Sequence, residues 1–227
     1  MCRIKLGKKV VSGWGSGFYC LIPLPNTAYK IPVLITSEHV LGREYLEIGK
    51  QIEIEIDNYD RSFIISISKE SQIFTNRELD ITIIKINKEN KLFNNVVFID
   101  IDENIYKNEE FLQKYLHKKR AYILEYTKGI DYYEHDCEKK KKCSTKEILK
   151  ELTENKEFSI EEGEINYDGK MIIHNIPTGP GASGGPIISD DKFKVIGYHL
   201  GKNRFMKEGI GKLLKYPIQE FIRKFYS

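Results

Sequence analysis

Residues 178–190 read TGPGASGGPIISD, with Gly181, Gly184 and Gly185 set around one hydroxyl, Ser183, and an apolar run directly after. Glycines without a packing role mark a tight turn, or a backbone N–H that something must approach closely. A plain β-turn meets the first description. A nucleophile beside an anion site meets the second, and partners elsewhere in the chain decide between them.

GASGG satisfies G-x-S-x-G, the nucleophile elbow of an α/β-hydrolase, which needs an acid and then a histidine downstream on a chain of alternating strands and helices. That alternation is missing, and His199 follows Ser183 too closely to span the rest of such a sheet. The reverse order works. His39 ends the apolar run IPVLITSEHVL, Asp80 opens LDITIIKI, and Ser183 comes far downstream. A serine can attack a carbonyl, a histidine can take and return its proton, and a buried carboxylate can orient the imidazole and stabilise its cation. Gly181 stands two places before Ser183, so the N–H groups of Gly181 and Ser183 are candidates to converge on one oxyanion, worth on the order of 3 kcal/mol per donor.

The rest of the chain reads as short strands. GFYCLIPL, IPVLITS, QIEIEI, SFIISIS, DITIIKI and VVFID fall in the first half, and AYILEY, EFSIEEGEI, KMIIH, GPIIS, FKVIGYHL and GIGKLL in the second. In QIEIEI, alternation places Ile52, Ile54 and Ile56 on one face and the glutamates in solvent. Many short strands with almost no intervening helix indicate an all-β sandwich or barrels. Ile218, Phe221, Ile222 and Phe225 fall at helical spacing, with Pro217 suited to a first turn, which predicts a C-terminal helix over about 217–226. The charged residues 106–119 are the expected connection between an N-terminal unit, 1–105, and a C-terminal unit, 120–227. Residues 131–156, with a lysine run, read as a surface insertion.

Composition narrows the function classes. Apolar residues make up 41% of the 227 and charged residues 30%, and 36 basic side chains nearly balance 33 acidic ones. Neither nucleic acid nor an acidic membrane is called for as a partner. A secretory leader and a long apolar span are both missing, so a cytoplasmic protein is expected, with Cys2, Cys20, Cys137 and Cys143 as thiols. His135, Cys137 and Cys143 lie near one another but lack the pairings of a zinc site. No metal or organic cofactor is expected.

Together, His39 in LITSEHVL, Asp80 in LDITIIKI, Ser183 in GASGGPI and the following VIGYHLG resemble the trypsin-like (chymotrypsin-fold) serine peptidases, and GSGFYCLIP resembles the first-barrel entry of their intracellular and bacterial branches. The resemblance implies two six-stranded antiparallel β-barrels, with His39 and Asp80 from the first and Ser183 from the second. It implies a serine endopeptidase acting on peptide or protein substrates through an acyl-enzyme. In secreted members a cleaved N-terminus pairs with an Asp just before the serine. Here that residue is Ala182, so such zymogen activation is not expected; the enzyme either folds directly into its active form or is gated by a regulatory protein partner or by a loop such as 131–156.

Members that cut after Lys or Arg carry an Asp six places before the serine, where this chain has Pro177. A cationic side chain would be buried unpaired there. Thr178 and His199 are instead similar to the pair with which glutamyl endopeptidases and picornaviral cysteine proteases bind Glu or Gln at P1. A hydroxyl and an imidazole can donate to a carboxylate or amide oxygen. The competing class is a peptide-binding or regulatory module that keeps this fold with little turnover. His117, His135 and His174 read as structural or surface residues.

Overall fold

A computed structural model describes residues 1–5, 14–56, 61–126, 158–203 and 208–226, so the expected insertion at 131–156 lies outside the described residues. The first half forms β1 (Cys2–Lys5), β2 (Trp14–Pro23), β3 (Lys30–Thr36), β4 (Gln51–Ile56), β5 (Arg61–Ser66), β6 (Ile73–Asn76), β7 (Ile81–Lys85) and the two-residue β8 (Ile99–Asp100). These make one curved sheet in the order β5-β4-β1-β2-β3-β7-β6, with β8 lying parallel against β2. The second half contains α1 (Glu109–Tyr115), β9 (Lys119–Tyr126), β10 (Phe158–Tyr167), β11 (Ile172–His174), β12 (Pro186–Ser189), β13 (Val195–Asn203), β14 (Glu208–Leu213) and α2 (Lys215–Tyr226). Its six strands close into a barrel in the order β10-β11-β14-β13-β12-β9. The protein is therefore mostly β, with one closed six-stranded barrel, one half-barrel sheet and a C-terminal helix.

The first sheet departs from the expected closed barrel of six antiparallel strands: it stays an open half-barrel, the expected strand VVFID shrinks to the two-residue parallel β8, and two further strands join. CRIK forms β1, which slots between β2 and β4, and IFTN forms β6 at the sheet's end beside β7. Both are only four residues long, too short for alternation to stand out. The insertion of β1 also changes the reading of QIEIEI. Ile52, Ile54 and Ile56 are buried as expected, but Glu55 is buried as well, because Arg3 lies directly across from it in the ladder and pairs with its carboxylate at 3.6 Å. A cross-strand ion pair takes the place of the solvent the pattern called for.

The long apolar runs of β2 and β3 reflect burial on both faces. Tyr19 and Leu34 point into the core enclosed by the first sheet, with Ile4, Leu41 and Ile52. Phe18, Cys20, Val33 and Ile35 face the opposite way, into a cluster that continues through Ile123 and Ile187 of the closed barrel to Ile218 and Phe221 of α2. Each fully buried side chain of this size is worth about 1.5–3 kcal/mol. The two sheets are thus joined by a shared apolar layer, and the rim of that layer carries the site.

Candidate active site

His39 sits just past β3, where the Ser37 carbonyl accepts the N–H groups of Val40 (3.2 Å) and Leu41 (3.0 Å) and turns the chain off the sheet. Asp80 ends the turn between β6 and β7. Asn76 accepts the Leu79 N–H through its side-chain oxygen at 3.0 Å, and the Arg77 carbonyl accepts the Asp80 N–H at 3.2 Å. This closes the turn with Asp80 at φ +53°, in the left-handed region that Asp tolerates better than most residues. The carboxylate then reaches His39 twice, accepting the backbone N–H at Oδ1 (2.9 Å) and meeting Nδ1 at Oδ2 (2.7 Å). Two contacts fix the ring's orientation, and a proton on Nδ1 leaves Nε2 as an acceptor. The bond to Asp80 raises the His39 pKa above its ordinary 6.5, against an opposing contribution from burial. Asp80 is less enclosed than the sequence reading supposed, with 24% of its side chain exposed, and His39 keeps 49%.

Ser183 lies in the loop before β12, held from two sides. Ser16 of β2 donates its N–H to the Ser183 carbonyl (2.9 Å) and its hydroxyl to the Gly181 carbonyl (2.9 Å), while the Tyr126 N–H of β9 donates to the Ser16 Oγ at 2.8 Å. Within the loop, Ala182 N–H donates to Gly179, Gly185 N–H to Ala182, and Gly184 N–H to the His199 carbonyl. The N–H groups of Gly181 and Ser183 have no hydrogen-bond acceptor among the described residues. These are the two donors proposed from the sequence for an oxyanion. The glycines around them are required sterically. Gly181 and Gly184 have φ of +96° and +85°, and a Cβ on Gly184 would lie 2.3 Å from the Ser16 carbonyl oxygen and 2.5 Å from Thr36 Oγ1. The first sheet presses so closely on the residue after Ser183 that no side chain fits.

The Ser183 hydroxyl donates to the Leu200 carbonyl at 2.9 Å and makes no hydrogen bond to His39 in this structure. His39 and Asp80 are thus joined, while Ser183 lies on a separate loop, whose Gly184 packs on Thr36 and Ser37 just before His39, without the third link.

Thr178 and His199 are both buried. His199 Nδ1 lies 3.0 Å from Nε2 of His174, a residue the sequence reading left as structural or surface. Burial, with His174 and Lys202 adding to it, depresses the His199 pKa to about 3, and burial depresses His174 to about 4, so both rings are neutral. The Thr178 hydroxyl has no hydrogen-bond partner among the described residues. The place of His174 was legible: Ile172, His174 and Ile176 alternate and share a buried face. Glu125 was missed too, though Ala121, Ile123 and Glu125 alternate inward along β9 in the same way. Among the described residues no cluster of His, Cys, Asp and Glu is placed to hold a metal ion, and His135, Cys137 and Cys143 lie outside them. No helix among the described residues is long and apolar enough to cross a membrane.

Comparison with solved structures places this architecture. The serine endoprotease of Yersinia pestis superposes with a TM-score of 0.60 at 13% identity, covering 98% of this chain and 62% of its own. The inactive form of the Rv3671c protease of M. tuberculosis gives 0.56 at 13% identity over 100% and 88%. A human pathogenic astrovirus serine protease gives 0.51 at 13% identity over 93% and 87%. This chain therefore spans under two thirds of the Yersinia pestis chain. No protein-family model matches the sequence, and no curated protein does. The fold is that of the chymotrypsin-like serine proteases.

Proposed function

We propose that this protein is a serine endopeptidase that hydrolyses peptide bonds through an acyl-enzyme on Ser183. His39 acts as general base and then acid, Asp80 orients it, and the Gly181 and Ser183 N–H groups bind the oxyanion. The observation that carries this reading is the doubly bonded His39–Asp80 pair, with contacts at 2.9 and 2.7 Å, together with a serine loop that packs through Gly184 on Thr36 and Ser37, just before His39, and leaves those two N–H groups unused. The fold of a serine protease supports it. The half-barrel and the closed barrel would be the two lobes, divided near residues 106–119.

We also assign P1 recognition of Glu or Gln to Thr178 and His199. The buried Thr178 hydroxyl lacks a partner among the described residues, a state that a ligand oxygen would relieve. His199 engages His174 through Nδ1, which leaves Nε2 for a substrate.

One observation favours a gated form of the same enzyme. The Ser183 hydroxyl is committed to Leu200 and not to His39, and catalytic hydrogen bonds often form fully only in the substrate complex. A substrate or a regulatory partner would then swing the hydroxyl by rotation about its χ1. With Ala182 before the nucleophile, activation by a new N-terminus pairing with an acid at that position does not apply.

The test is cleavage of a mixed peptide library by the purified protein beside Ser183→Ala and His199→Ala. Ser183-dependent cuts after Glu or Gln, lost in His199→Ala, establish the triad and the pocket. Ser183-dependent cuts elsewhere retain the protease and remove the P1 assignment. No cleavage, together with failure of a phosphonate to label Ser183, overturns constitutive activity and leaves the gated enzyme and the binding module, which a large gain in turnover on adding a partner would separate.

A further inference from the structure

Glu125 is 2% exposed, on the inward face of β9. Its Oε1 accepts the Gly179 N–H at 3.1 Å and lies 3.5 Å from the Ser159 hydroxyl, while Oε2 is buried with no partner among the described residues. A carboxylate is costly to bury without full pairing, and replacing it by an apolar side chain would spare that cost. What the carboxylate does hold is the start of the loop that carries Gly181 and Ser183.

The residues on either side of Glu125 bear on the same loop, Leu124 directly and Tyr126 through Ser16. A Cβ on Gly185 would lie 2.5 Å from the Leu124 carbonyl oxygen, so β9 runs directly beneath the loop there. The Tyr126 N–H reaches Ser16, which in turn holds the Gly181 carbonyl. Two neighbouring residues of β9, Leu124 and Glu125, thus touch the loop directly and Tyr126 reaches it through Ser16, and Glu125 is the one that acts through its side chain. Without it, the Gly179 N–H would lose its acceptor, and the turn closed by Ala182 N–H on the Gly179 carbonyl would lose its anchor.

We infer that Glu125 is a positioning residue, which sets the 178–182 segment so that the Gly181 and Ser183 N–H groups point to one place. This rests on the protease reading for its catalytic consequence, but not for its structural one. Its surroundings fit a group held for a purpose. Burial pushes its carboxyl up to about 7, the Gly179 N–H works against this, and Glu161 of β10 and Lys202 of β13 add smaller opposing effects.

The experiment compares Glu125→Ala and Glu125→Gln with the unaltered protein by two readouts. Amide hydrogen exchange over 178–184 reports the loop directly, and kcat and KM on a cleaved peptide report its use. The expected result is that Glu125→Ala speeds exchange in that segment about tenfold and lowers kcat at least about tenfold with KM little changed, since small misplacements of catalytic groups cost this much or more. Glu125→Gln, which keeps an acceptor for Gly179, restores both. Unchanged loop exchange in Glu125→Ala, or no rescue by Gln, overturns the inference. If the alanine variant does not fold, Glu125→Val supplies volume without the acceptor. Should cleavage prove independent of Ser183, the protease reading fails, and the exchange data still decide the role of Glu125.

Discussion

Tyr198 of β13 donates its hydroxyl to the Leu79 carbonyl at 2.5 Å, so the closed barrel holds the turn on which the first sheet presents Asp80. Lys212 of β14 adds a second tie, from its ammonium to the Glu78 carbonyl at 2.6 Å. The position of Asp80 relative to His39 is therefore set partly by the other half of the molecule. Tyr198→Phe removes the bond and little volume. It should cost about 1 kcal/mol of stability or somewhat more, and lower kcat several-fold with KM unchanged. Urea unfolding and peptide kinetics measure the two effects, and unchanged kcat would mean that the turn holds Asp80 without help.

Gly184 makes a sharper case. Its φ of +85° is already unfavourable for any other residue, and the atoms a Cβ would strike are the Ser16 carbonyl at 2.3 Å, Thr36 Oγ1 at 2.5 Å and the Ser37 N at 2.9 Å. Two of the three are backbone and cannot rotate away. Gly184→Ala should lower stability by more than about 2 kcal/mol, beyond the usual effect of a point substitution, and should abolish phosphonate labelling of Ser183. A folded variant with normal labelling would show that the two sheets can part at this point without consequence.

These contacts show what local sequence pattern can and cannot convey. Ser183 among glycines, and His39 and Asp80 at strand ends, are legible because acyl transfer calls for those residue types, and their order is the one in the family that the chain resembles. The His39–Asp80 contact could be expected from their roles, and it forms. That Gly184 must lack a side chain because Ser16 and Thr36 lie against it, or that Glu55 is buried under Arg3, depends on strands distant in the chain. No periodicity reports such pairings. Glu125 and His174 fell between the two cases. Each alternates with buried apolar neighbours, but its polarity points to the outside, and only the contacts with Gly179 and His199 resolve that conflict.

Activity should depend on pH through His39. The Asp80 bond raises its pKa above 6.5, and a general base must be unprotonated, so kcat/KM should rise with pH through a midpoint above 6.5. Asp80→Asn removes both the charge and the preference for the working tautomer. It should move that midpoint down and lower kcat by about 10⁴-fold. A pH–rate profile of both proteins tests this; a midpoint that stays in place in the variant would show that Asp80 does not set the titration of His39.

Stability should carry a different pH signature. His174 and His199 have folded pKa values pushed below their ordinary 6.5, so as pH falls through 6.5 the unfolded chain binds protons that the native rings refuse, and stability drops. Glu125 works in the opposite direction. Its folded value is raised from 4.5 to about 7, so its contribution is fully present below 4.5 and is lost as pH rises through about 7. Between about pH 5 and 6.5, two protons favour the unfolded chain and one favours the native fold, leaving a net slope of up to about 1.4 kcal/mol per pH unit from these three groups. Glu125→Gln removes the offsetting proton. Its stability should therefore fall more steeply on acidification than that of the unaltered protein, by up to about a further 1.4 kcal/mol per pH unit. Urea unfolding at several pH values across that window measures both slopes. Parallel slopes would show that Glu125 is already ionised in the native protein, its burial offset by contacts other than the Gly179 bond.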